Sequence, residues 1–181
     1  MHRRSIVIAA WLAIGAVNAR AQDGFSQMLG TLGRERSLAE AGVSIIKHYA
    51  PEDIDGRLKY AQAKSAFDGL IDQLLADLAQ GKDPDVSTEF RAKVQSAVDS
   101  RTAFSNQVAM VIKTKVPPGA KAGWPDLLAA GGAVGELVGD LISGGIKIWQ
   151  AWQQASGARR DRLTARLSEQ RWKQFADIPS G

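Results

Sequence analysis

Apolar positions between residues 60 and 112 recur at three- and four-residue spacing and organise the middle of the chain into two amphipathic helices. In the first, Tyr60, Ala63, Phe67, Leu70, Ile71, Leu74, Leu75 and Leu78 form one stripe, because a helix turns about 100° per residue. Lys59, Gln62, Asp68, Asp72, Gln73 and Asp77 fall on the other side. Gly81 suits the terminus, where a missing side chain permits a left-handed cap. The second stripe is Phe90, Val94, Ala97, Val98, Phe104, Val108, Val111 and Ile112. Asp85 or Ser87 supplies its N-cap, and Glu89 places negative charge in its first turn. An earlier segment, Phe25 to Tyr49, carries a weaker signal. Gly30, Gly33 and Gly42 each cost about 1 kcal/mol against alanine in a helix, so helix is expected mainly from Ser37 to Tyr49.

The stretch Leu127 to Trp149, LLAAGGAVGELVGDLISGGIKIW, has the length and apolar content of a membrane span. Its polar residues argue otherwise. On a helical wheel Glu136, Asp140, Ser143, Lys147, Gln150 and Gln154 gather within about 80°. Leu127, Val134, Leu137, Val138, Leu141, Ile142, Ile148, Trp149 and Trp152 oppose them. A lipid-facing span does not collect its charges into a wet stripe, since each central charge costs several kcal/mol. The segment reads as a two-faced helix, started by Trp124-Pro125-Asp126 with Pro125 in the first helical position. Gly131, Gly135 and Gly139 sit four apart, a spacing that predicts a close helix–helix contact. The alternative is a membrane-inserting hairpin.

The N-terminus changes how the rest is read. Arg3 and Arg4 precede the apolar run IVIAAWLAIGAV, and Ala19-Arg20-Ala21 follows. This is the three-part pattern of a secretory signal peptide, residues 1–21, cleaved before Gln22. Removing it takes away Arg3, Arg4 and Arg20 but no acid, which leaves 20 basic against 19 acidic residues. The mature charge of +1 gives no support for nucleic-acid binding. The 160 residues 22–181 suit one domain with a sizeable core. The chain has no cysteine, so thiol nucleophiles and cysteine-ligated metals are excluded.

Candidate chemistry is sparse. KHYAPEDIDG gathers His48, Tyr49, Glu52, Asp53 and Asp55, a set capable of acid–base work. The plainer reading is a helix end followed by Pro51 at the start of the next helix, its acids placed by the helix dipole. DIDG fails as a calcium loop, because Pro51 and Gln62 occupy the end positions that need carboxylates. Arg101 falls inside the second apolar stripe. It and Tyr60 define a possible buried polar site, since a buried guanidinium requires an acid or carbonyls. The clearest charged feature is a basic C-terminal helix expected over 158–178. Arg159, Arg160, Arg162, Arg166, Arg171 and Lys173 face only Asp161 and Glu169 between residues 159 and 173. Trp172 and Phe175 add aromatic surface. Such a helix suits anionic lipid or an acidic protein, or stands as a solvated face.

The expected architecture is all-α: a single antiparallel bundle of four to five helices after a cleaved signal peptide. The expected function is a non-enzymatic interaction protein of the periplasm or outside the cell. Its partner would be a protein or the anionic envelope surface, met through Arg159, Arg160, Arg162, Arg166 and Trp172. No catalytic residue, metal ligand or cofactor is assigned, and no membrane span is expected in the mature chain. A membrane-permeabilising protein using helix 127–152 is the alternative, and an envelope hydrolase around His48 the second.

Overall fold

The structure is a computed structural model that describes the backbone of residues 4–123 and 134–179 and the side chains of residues 24–121 and 134–179. The described residues form five α-helices and no strand: α1 Arg4–Tyr49, α2 Ile54–Gln80, α3 Thr88–Lys115, α4 Val134–Gln153 and α5 Gly157–Ser168. Two 3₁₀ turns, Pro118–Gly123 and Phe175–Asp177, complete them. The fold is all-α. The expected helix start at Trp124-Pro125-Asp126, and Gly131 with it, lie outside the described residues.

Local chemistry sets the ends of α2 and α3. Asp53 accepts from the Gly56 amide at 2.9 Å and caps α2, so the helix begins after Asp53 and Pro51 lies in the preceding turn instead of opening it. Gly81 closes α2 at φ 69°. Its amide bonds Leu78 O at 3.2 Å and the Lys82 amide bonds Asp77 O at 2.8 Å, the paired bonds of a Schellman cap. Of the two N-cap candidates for α3, Ser87 takes the role, accepting from the Phe90 amide at 3.2 Å. Lys82 bridges to Glu89 at 2.7 Å and holds that first-turn carboxyl down at about 2.

α1 is stronger than its glycines predict. It runs unbroken past Gly30, Gly33 and Gly42, well beyond the expected Ser37–Tyr49. The reason is burial: Phe25, Met28, Leu32, Val43 and Ile46 are core residues. Each large side chain so buried contributes roughly 1.5–3 kcal/mol, which outweighs about 1 kcal/mol per glycine.

Successive helices reverse direction. Lys82–Glu89 at one end and Gln107–Asp53 (2.8 Å) at the other make α2 and α3 an antiparallel pair. Lys147 donates to Gln27 at 2.7 Å and Arg34 meets Asp140 at 4.0 Å, so α4 descends beside α1. The inner face of α4 buries Leu137, Leu141 and Ile148, with Trp149 and Trp152 packed partly against the core. No helix among the described residues is long and apolar enough to cross a membrane. The close helix contact is displaced from its expected place. A Cβ built on Gly135 or Gly139 meets nothing within 4 Å among the described residues. On Gly144 it would lie 2.5 Å from Met28 Sδ, and on Gly145 2.5 Å from Phe90 Cζ. α4 therefore crosses α1 and α3 at Gly144-Gly145.

The C-terminal segment also differs from expectation. The basic helix ends at Ser168, not near residue 178. A continued helix would carry Trp172 about 180° round from Leu163, away from the body to which Leu163 and Leu167 are anchored. The chain breaks instead and runs as a strap over α1 and α2. Tyr60 Oη donates to Lys173 O at 2.6 Å, the Trp172 amide to Asp68 at 3.2 Å, and Ser44 Oγ to Pro179 O at 3.0 Å. Lys47 donates to Ile178 O, and Arg171 pairs with Asp72, holding that carboxyl below its usual range.

Candidate functional site

The six basic residues of the C-terminal segment divide into three roles. Arg171 and Lys173 pin the strap, through Asp72 and through Glu40 at 3.6 Å. Arg160 turns toward α4, donating from Nε to Trp152 O at 3.2 Å with its guanidinium 5.6 Å from that ring. The remaining three are Arg159, Arg162 and Arg166. Their i, i+3, i+7 spacing puts them on one face of α5, and together with Phe25, Ser26, Ala151 and Leu163 they line an open hollow of about 610 Å³. Leu163 and Leu167 fix this face by packing beneath it. The guanidinium of Arg166 lies 5.4 Å from the Phe25 ring, a cation–π contact that orients it.

Among the described residues no carboxylate forms an ion pair with Arg159, Arg162 or Arg166. Three like charges around a concave wall focus a positive potential. Chemically the hollow can hold an anion.

Trp172 is not part of this surface. It is 3% exposed and stacks on Phe67 at 4.7 Å and on Tyr60 at 5.7 Å, so it anchors the strap from within the core. Tyr60 also meets Phe104 and Phe175 edge-on. Burial, reinforced by Glu40 and Asp68, raises its hydroxyl pKa well above the usual tyrosine value.

Arg101 is buried, and Glu35 on α1 accepts from its Nε at 2.8 Å. Beside the pair is a cavity of about 10 Å³, lined also by Phe104, Ser105 and Trp172. That is room for one water at most, so the pair is a structural lock and not a ligand pocket. Tyr60 bonds to Lys173 instead of to Arg101; aromatic packing through Phe104 and Trp172 links the two. Sequence reasoning missed Glu35, yet it left a signal. An acid stands within the apolar spacing Leu32, Ala39, Val43 of α1, just as Arg101 stands within that of α3.

The residues around His48 do not assemble. His48 is exposed and its ring meets Tyr49 edge-on at 4.5 Å. Asp53 is engaged by Gly56 and Gln107, Asp55 by Lys59 at 2.7 Å, and Glu52 by Lys115 at 3.8 Å. Among the described residues no group of three acid or histidine side chains is placed to hold a metal ion.

Comparison adds no relative: no family model, curated protein or solved structure matches this chain.

Proposed function

We propose that this protein is exported through its N-terminal signal peptide and works as a non-enzymatic interaction protein of the periplasm or the exterior. Its contact with a partner protein or the cell envelope is made by the face of α5 that carries Arg159, Arg162 and Arg166. The observation behind this reading is the division of the basic residues. Arg171, Lys173 and Arg160 have internal partners, while three arginines without ion pairs among the described residues surround an open hollow. A fold gains nothing from clustering unpaired like charge, so such a cluster is better explained by a partner of opposite sign. The membrane-inserting alternative is less favoured, because the polar face of α4 is tied to α1 by Lys147–Gln27 and Asp140–Arg34.

The test is photo-crosslinking in intact cells from position 162, with exposed Gln95 on α3 as the control site. Crosslinks into an envelope component from position 162 and none from position 95 are expected. Equal yields from the two sites would remove α5 as the contact. The intact mass of the same material reads whether the exported chain begins at Gln22.

A further inference from the structure

The hollow between α1 and α5 also carries information about its ligand. We infer that it is a binding site for a phosphate ester, with the phosphate held by Arg159, Arg162 and Arg166 and the organic part lying against Phe25 and Leu163. This deepens the reading above and rests on it.

Three features select this chemistry. Each guanidinium offers planar paired donors that match phosphate oxygens, and three of them border one space. A phosphate sets its oxygens tetrahedrally and can be approached from several sides at once, whereas the two oxygens of a carboxylate lie in one plane. The Arg166 guanidinium lies 5.4 Å from the Phe25 ring centroid, a cation–π contact that holds it at the wall of the hollow. Finally, the space of about 610 Å³ is far larger than a bare phosphate, and Phe25, Ala151 and Leu163 give it apolar walls. An amphiphilic ester uses both parts. The same chemistry is offered by a phospholipid headgroup and by a soluble phosphate ester.

The experiment uses the full protein as it accumulates in cells. It is titrated calorimetrically with glycerol 3-phosphate, with glycerol as the uncharged control, and floated with vesicles of phosphatidylcholine alone or mixed with phosphatidylglycerol. Binding to the phosphorylated probe or to the mixed vesicles is expected, and the arm that binds names the source. The Arg159→Glu/Arg162→Glu/Arg166→Glu variant should lose about a hundredfold in affinity. Arg162→Glu alone should weaken binding while Arg160→Glu, with the same charge change outside the hollow, should not. Unchanged melting of each variant shows that the fold is intact. The inference is overturned if the wild type binds neither phosphate probe, or if Arg160→Glu weakens binding as much as Arg162→Glu. Crosslinking from position 162 that persists without phosphate binding would leave the interaction face standing with another partner, so the two failures are distinguishable.

Discussion

Arg101 on α3 and Glu35 on α1 meet at 2.8 Å with side chains only 7% and 3% exposed. The pair joins two helices that are not neighbours in sequence and fixes their register. Its net value over apolar residues is small, but breaking it takes from a buried charge a partner that offsets its lost hydration. Glu35→Leu or Arg101→Leu should each cost about 3–5 kcal/mol in chemical denaturation. The double variant should recover most of that loss. Strictly additive costs would show that the two side chains act independently.

The glycines of α4 give the next prediction. Gly145→Leu should destabilise strongly, because Phe90 already occupies the space a side chain needs. Gly135→Leu should raise the melting temperature, gaining up to about 1 kcal/mol of helix propensity with no clash among the described residues. A lower melting point for Gly135→Leu would return the close contact to the outer glycines.

These sites mark how far the sequence is legible. α2 and α3 are visible with the caps Gly81 and Ser87, since stripe and caps are local signals, whereas the start of α2 is misread at Pro51 because Asp53 takes the N-cap. α1 is underestimated because its glycines speak locally while the burial that overrides them is tertiary. The strap is invisible for a similar reason: Tyr60 and Lys173 are bonded across 113 positions, and Trp172 looks equally suited to surface or core. The arginines are plain as a charge run. Their sorting is not, because the opposite wall of the hollow, Phe25 and Ser26, comes from the far end of the chain.

Trp172 holds the strap by packing on Phe67 and Tyr60. Trp172→Ala should cost about 3–5 kcal/mol and expose residues 171–179 to limited proteolysis. Protection equal to wild type would mean that the polar bonds of Ser44 and Lys47 suffice to hold it.

Tyr60 predicts an alkaline effect. Its folded pKa lies above the unfolded value of 10.0, so the folded state keeps a proton that the unfolded state releases. Its contribution is complete below pH 10 and declines as pH rises above it. Tyr60→Phe should cost about 1 kcal/mol at neutral pH through the lost bond to Lys173 O, and the difference from wild type should shrink above pH 10. A constant difference across that range, read by denaturation at each pH, would contradict the assignment.

In the proposed reading the fold and the contact are separate, with Arg159, Arg162 and Arg166 serving the contact. The most direct measurement is co-sedimentation with isolated envelope at low and high salt, for wild type and the triple reversal of these arginines to Glu. Their charges are exposed to screening over a Debye length of about 8 Å at physiological salt. Wild type should bind at low salt and release at high salt, while the triple variant should not bind and should melt within a few degrees of wild type. Equal, salt-insensitive sedimentation of both proteins would contradict the claim and leave the three arginines as a solvated face.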